Sequence, residues 1–101
     1  MAASTTEGLA ESRRTLVIAA LLLFAATALG AFGTHALKPV LSAARFDSFE
    51  TGVTYQFYAA FGLLAIGLLQ RDARFGAARL RLVGRLLLAG ITLFAGSIYA
   101  L

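Results

Sequence analysis

The stretch Thr15–Leu37, TLVIAALLLFAATALGAFGTHAL, contains no Asp, Glu, Lys or Arg. Two later runs share this property, Thr51–Leu69 and Leu86–Leu101. At about 1.5 Å per residue, the first two runs would span about 34 Å and about 28 Å as helices, close to the roughly 30 Å hydrocarbon core of a bilayer. The third would span about 24 Å and needs a few preceding residues. The chain is therefore predicted to be an all-α integral membrane protein, a helical bundle with three transmembrane helices.

The composition supports a membrane protein. Hydrophobic residues make up 59% of the 101 residues and charged residues 14%, against about 25% charged residues in soluble domains. A soluble bundle would need a polar face on each surface helix, and residues 16–32 have none. The chain has no cysteine, which excludes a disulfide framework and a thiolate metal site. With no Pro- or Ser-rich linker and no internal repeat, residues 1–101 are predicted to form one membrane domain.

The first run has an alternative interpretation as an export signal. Ser12-Arg13-Arg14-Thr15-Leu16, followed by Ala26-Thr27-Ala28, is compatible with a twin-arginine signal and its cleavage site. However, the uncharged run continues to Leu37, which is longer than the about 7 to 15 apolar residues usual in a signal. A retained transmembrane helix is the preferred interpretation.

The basic residues predict the orientation, because Lys and Arg accumulate in cytoplasmic flanks. Only Lys38 and Arg45 lie between the first and second runs. Seven arginines lie either before the first run or between the second and third runs: Arg13, Arg14, Arg71, Arg74, Arg79, Arg81 and Arg85. This distribution predicts a cytoplasmic N-terminus and an external C-terminus. The predicted order is a cytoplasmic tail 1–14, helix 15–37, external loop 38–50, helix 51–69, basic cytoplasmic loop 70–85 and helix 86–101.

The external loop has a pattern of its own. Pro39 should end the first helix, since the residue before a proline avoids the helical region, and Pro39 can itself open a new helix. Apolar residues then recur every third position, at Val40, Ala43, Phe46 and Phe49. This spacing predicts a short helix lying in the membrane interface. An ordinary tight connector with solvated charges explains the loop equally well.

The basic loop could contact lipid headgroups. If the helix continued through it, one face would carry four arginines: Arg71, Arg74, Arg81 and Arg85. Each arginine near an anionic leaflet contributes about 1 kcal/mol of attraction. The positive-inside rule alone also accounts for these residues and is the simpler interpretation. Nucleic-acid binding is not expected, because no groove-reading element accompanies the basic stretch.

Small residues predict packing faces on two of the helices. Residues four apart lie on one face of a helix, and small residues there let two backbones approach closely. Two such sets occur, Ala26 with Gly30, and Thr92 with Gly96 and Ala100.

Polar residues near the predicted outer ends form a candidate cluster of His35, Glu50, Tyr55 and Gln56. Tyr55 also fits an interfacial aromatic belt. A single histidine does not make a metal site without several carboxylates converging on it, so no metal and no cofactor are expected. No nucleophile, base and orienting group can be assembled either. The sequence therefore predicts no enzymatic activity.

Three ordered motifs resemble those of a family of small multi-spanning membrane proteins that includes bacterial YgdD and animal transmembrane protein 256. They are ALGAFGTHAL at 28–37, FETGVTYQFY at 49–58 and LFAGSIY at 93–99. The resemblance implies a helical protein, in bacteria of the inner membrane, whose biochemical role is not established.

The chain departs from that family pattern at two points. The resemblance implies a Tyr-Gln-x-x-His motif in the second helix, but Ala59 stands where the histidine would be. It also implies a fourth helix, whereas this sequence stops at Leu101. Such a helix is either supplied by another protomer or lost by truncation. If it is truly absent, the faces around Gly96 and Ala100 are open to lipid or to a partner, which favours oligomerisation.

Two functions are compatible with these observations. The first is a non-enzymatic assembly or interaction protein that packs on a second copy of itself or on another membrane protein. The alternative is an oligomeric transport or proton-linked protein that uses His35, Glu50 and Gln56.

Overall fold

Three long helices form the fold of the computed structural model, which describes residues 2–100 and the side chains of residues 7–72 and 74–100. Helix α1 is Ala2–Phe32 and continues into a π-helical turn, Gly33–Leu37; α2 is Ala43–Leu69 and α3 is Ala77–Tyr99. A 3₁₀ turn, Ala73–Phe75, precedes α3, and the described residues contain no strand. Each long helix is apolar and long enough to cross a membrane. The predicted all-helical fold with three long apolar helices is confirmed.

The helical segment that α1 begins ends at Leu37, just before the Lys38-Pro39 pair that the sequence predicts to end it. Its last turn widens, so that the amide of Lys38 donates to the carbonyl oxygen of Gly33 at 2.8 Å, a bond that spans five residues. Gly33 is buried at this turn, and a Cβ placed on it would lie only 2.5 Å from Cε1 of Phe49. The absence of a side chain therefore lets α1 approach the first turns of α2.

The first turns of α2 occupy the segment that was predicted to be a separate interfacial helix. Ser42 caps α2, since its Oγ accepts from the amide of Arg45 at 3.2 Å. From there the helix runs unbroken to Leu69; it contains no Pro, and its first nine residues, 43–51, contain no Gly either. The prediction of a distinct short helix within 38–50 is therefore corrected: residues 38–42 form the turn and residues 43–50 belong to α2.

The connection between α2 and α3 is also shorter than predicted. Gly76 has a φ of 73°, in the left-handed region that favours glycine, and α3 begins directly after it. The basic loop is thus confined to residues 70–76, and Arg79, Arg81 and Arg85 lie on α3. Within the turn, hydrogen bonds from the side chain and amide of Arg74 lower the pKa of Asp72.

Helix α2 is the centre of the bundle. Both α1 and α3 pack antiparallel along it, while they make little contact with each other. One buried cluster joins Ala26 of α1 to Phe49 and Val53 of α2. Another joins Ala59 of α2 to Ile91 and Ala95 of α3. The result is a cleft between α1 and α3, with α2 as its floor.

Gly67 allows a close approach of α1 to α2. A Cβ on Gly67 would lie 2.8 Å from Cδ2 of Leu16 and 3.3 Å from the backbone nitrogen of that residue. At Gly90 of α3, by contrast, a Cβ would meet nothing within 4 Å.

The two glycines give a matched test of this packing. Alanine improves helix propensity by about 1 kcal/mol at either position, but only Gly67→Ala forces α1 away from α2. We expect Gly67→Ala to be about 1 to 3 kcal/mol less stable than Gly90→Ala, the usual cost of overpacking. Thermal unfolding of the two variants in a mild detergent measures this difference. Equal midpoints would show that the helices are not in contact at Gly67.

Candidate functional site

Of the four residues of the predicted polar cluster, only Gln56 is buried. Its side chain is 5% exposed, whereas His35, Glu50 and Tyr55 are exposed. Glu50 and Gln56 are six residues apart on α2, so they project about 120° apart around the helix. No hydrogen bond joins His35 to Glu50 or to Gln56 among the described side chains. The structure brings Glu50 and Tyr55 to one open pocket on α2, but it does not join His35 or Gln56 to them by a hydrogen bond among the described side chains.

Gln56 instead connects all three helices. Its Nε2 donates to the carbonyl oxygen of Leu22 in α1 at 2.9 Å. Its Oε1 accepts from the hydroxyl of Tyr99 in α3, also at 2.9 Å. We call Gln56, Leu22 and Tyr99 the three-helix joint. Both ends of the amide are satisfied inside the protein, as an apolar surrounding requires.

Tyr55 belongs to an aromatic group between α2 and α3. Its ring lies 5.4 Å from that of Tyr58 and 5.2 Å from that of Phe94, in edge-to-face arrangements. Such pairs contribute about 0.5 to 1.5 kcal/mol each beyond the area that they bury. The position of Tyr55 is thus accounted for by helix packing.

The two predicted small-residue faces have different environments. Ala26 is fully buried, and a Cβ on Gly30 would lie 3.7 Å from Cγ1 of Val53, so this face packs α1 on α2. The residues of the second face, Thr92, Gly96 and Ala100, are all exposed. A Cβ on Gly96 would meet nothing within 4 Å. The second face is open toward the surroundings of the bundle.

The four arginines of the predicted headgroup face do not share one helical face, because the turn at Gly76 separates them. Arg74 pairs with Asp72 at 2.8 Å. Arg81 donates through Nε to Oε1 of Glu11 at 3.0 Å, across the cleft to α1. Arg85 lies one turn further along α3, beside the same cleft.

Arg71 is part of a hydrogen-bonded chain that the sequence did not reveal. Its Nε donates to Oγ of Ser12 at 2.9 Å, and that hydroxyl donates to the carbonyl oxygen of Gly67 at 2.6 Å. Nearby, Thr15 donates to Oε1 of Gln70 at 2.7 Å. Ser12 is completely buried. In the sequence, these hydrogen bonds are indicated only by two hydroxyl residues, Ser12 and Thr15, which lie three positions apart at the start of the first apolar run.

Comparison with known proteins shows a match to the family described as "Protein of unknown function (DUF423)" over residues 29–101. The chain belongs to the DUF423 family. Its resemblance to a family of small membrane proteins without an established role is thereby confirmed.

Related proteins bear the name UPF0382 membrane protein. One from Staphylococcus saprophyticus is 40% identical over 86 residues, which cover 85% of this chain and 69% of the relative. YwdK of Bacillus subtilis is 36% identical over the same shares of the two chains. A relative from Haemophilus influenzae is 41% identical over 87 residues, covering 85% of this chain and 67% of the relative. No solved structure matches the chain.

The three-helix joint predicts a specific coupling between Gln56 and Tyr99. Hydrogen bonds between transmembrane helices contribute about 0.6 kcal/mol on average and up to about 1.7 kcal/mol. We expect Tyr99→Phe to lower stability by about that amount and Gln56→Leu, which removes both bonds, by about 1 to 3 kcal/mol. In the Gln56→Leu background, Tyr99→Phe should have little further effect. Unfolding of the four proteins in detergent completes the double-mutant cycle.

A control for the loss of a hydroxyl is Thr27→Val, because Thr27 is exposed and bonds only within its own helix, to the carbonyl oxygen of Leu23. This variant should keep the parent stability. Strictly additive effects of the Gln56 and Tyr99 substitutions would contradict a shared bond.

Proposed function

We propose that the protein is a non-enzymatic assembly or interaction protein of the bacterial inner membrane. The observation that carries this proposal is the open face of α3 formed by Thr92, Gly96 and Ala100. The corresponding small residues of α1, Ala26 and Gly30, are used within the chain to pack on α2. The α3 face offers the same kind of contact to a helix outside the chain, in a second copy or in another membrane protein.

The physics of helix association in lipid supports this role. Lipid tails are as apolar as leucine, so transmembrane helices associate through close van der Waals packing rather than through a hydrophobic driving force. Small residues four apart allow that close approach. On α3, Ile91 and Ala95 are buried against α2. The residues that directly follow them in the chain, Thr92 and Gly96, belong to the open face. The face therefore lies about 100° around the helix from the internal contact.

The alternative, a transport or proton-linked role, has less support. Gln56 is engaged at both ends of its amide, and His35 and Glu50 lie exposed without a hydrogen bond to it. A pathway through this protein would need walls from other chains. If His35 and Glu50 carry transport, a His35→Ala, Glu50→Gln variant loses the cellular phenotype while it keeps its assembly state. The assembly role predicts that this variant retains both the cellular phenotype and the assembly state.

The proposed placement has the N-terminus in the cytoplasm and the C-terminus outside. The turn 70–76 packs beside the N-terminal part of α1, as the Arg71–Ser12 bond shows. Seven of the nine basic residues are thus gathered at one end of the bundle, where anionic headgroups of the cytoplasmic leaflet would attract them.

Two leucine substitutions on α3 test the assembly proposal. Gly96 and Gly90 are both exposed with open space around them, and they lie about 120° apart on the helix. We expect the wild type, extracted in lipid-preserving particles, to have a mass above that of a monomer in native mass spectrometry. Gly96→Leu should weaken the association constant by about tenfold, corresponding to about 1.4 kcal/mol, and Gly90→Leu should leave it unchanged. A monomeric wild type, or equal effects of both substitutions, would refute the proposal.

The orientation is tested with single cysteines, since the chain has none of its own. Ala43 and Ala77 are exposed at the first residues of α2 and α3, and substituting Ala43 spares the cap at Ser42. In intact cells an impermeant thiol reagent should label Ala43→Cys and spare Ala77→Cys. Both should react after the membrane is permeabilised. The reverse pattern would invert the proposed orientation.

A further inference from the structure

A cleft of about 310 Å³ opens between α1 and α3 at the basic end of the bundle. Its rim carries Arg14 and Glu11 of α1 and Arg81 and Arg85 of α3. Three arginines and one glutamate thus line the same cleft. The volume is at the lower end of the about 300 to 1,000 Å³ that is usual for ligand sites.

The charges of the rim are not balanced within the chain. Glu11 is engaged by Arg81. The described side chains include all five acidic residues, and among them neither Arg14 nor Arg85 has a salt-bridge partner. Arg81 and Arg85 are four residues apart on one helix, where like charges repel. An anion seated between the three guanidinium groups would relieve this repulsion.

The wall of the cleft becomes apolar directly beyond the rim. Ile18 lies one turn beyond Arg14 on α1, and Leu88 lies one turn beyond Arg85 on α3; Leu63 of α2 forms the floor between them. The lining therefore changes from cationic to aliphatic over about 5 Å, one helical turn. This change follows the direction from the membrane surface into the hydrocarbon core.

We propose that this cleft is a binding site for one anionic phospholipid, with its phosphate held by Arg14, Arg81 and Arg85 and an acyl chain lying against Ile18, Leu63 and Leu88. Guanidinium groups bind phosphate oxygens through paired hydrogen bonds. A free phosphate would use the rim but not the aliphatic wall, and a phospholipid matches both. The site requires only that the basic end lies at a membrane surface, and it is independent of the assembly role of α3.

The test uses the full chain in nanodiscs that contain phosphatidylglycerol and phosphatidylcholine in equal amounts with identical acyl chains. Native mass spectrometry after release counts the lipids that stay bound. The wild type should retain one phosphatidylglycerol in clear preference to phosphatidylcholine. Arg14→Gln with Arg85→Gln should lower this retention by about tenfold or more, since each substitution removes charge-assisted hydrogen bonds to the phosphate that an arginine outside the cleft does not make.

The matched control is Arg13→Gln with Arg79→Gln. Both residues are exposed arginines at the same end of the bundle, and neither lines the cleft. This variant loses the same charge and should keep retention within about twofold. Equal losses in the two double variants would show a diffuse basic surface and overturn the site, as would the absence of any preference for phosphatidylglycerol in the wild type.

A second arm separates a lipid from a soluble phosphate ester. Soluble glycerol 3-phosphate at millimolar concentration is added to the wild type in a zwitterionic detergent, and retention of phosphatidylglycerol is measured again. A lipid site predicts that the bound lipid remains. Its displacement, with the ester bound in its place, would assign the rim to soluble phosphates and overturn the lipid proposal.

Discussion

A side-chain amide inside an apolar span must find a partner for its donor and for its acceptor, because the hydrocarbon core offers neither. Gln56 meets this requirement with the backbone of α1 at Leu22 and the hydroxyl of α3 at Tyr99. The amide can do so only if all three helices keep their register and their faces. The rest of the bundle is consistent with this condition: α2 lies in the centre, and α1 and α3 lie against it on different sides.

Close packing between α1 and α2 also stabilises the bundle. Gly30, Gly33 and Gly67 bring the backbones of α1 and α2 together along the whole contact, from Phe49 at one end to Leu16 at the other. Because α1 and α3 make little contact with each other, the space between them remains open beside the joint. The cleft at the basic end follows from this geometry, whereas the open face of α3 follows from where that helix places its small residues.

The three spans could be predicted from the sequence because a run without charge and of bilayer length has few other stable structures in water or lipid. The helix boundaries could not be predicted, because they depend on the conformation of single residues. The cap at Ser42 lets α2 begin at Ala43, and the left-handed Gly76 lets α3 begin at Ala77, well before Leu86. The motif containing Gln56 can be recognised in the sequence, but the partners of its side chain cannot. Glu50 points to a different side of α2, and the partners of Gln56 depend on the register between helices, which a single sequence does not contain. For the same reason the sequence does not indicate the hydrogen bonds of Tyr99 and Ser12.

The central claim is that the amide of Gln56 joins α1, α2 and α3 in the bilayer. It is tested most directly by solid-state NMR of the protein in lipid vesicles, with ¹⁵N in glutamine and ¹³C in leucine carbonyls and tyrosine rings. The chain has two glutamines, Gln56 and Gln70, so a Gln70→Glu variant leaves a single side-chain amide. The joint predicts through-space correlations from the Gln56 amide to the carbonyl carbon of Leu22 and to the hydroxyl-bearing ring carbon of Tyr99. A Gln56 amide that correlates with neither, and whose protons exchange rapidly with water, would contradict it.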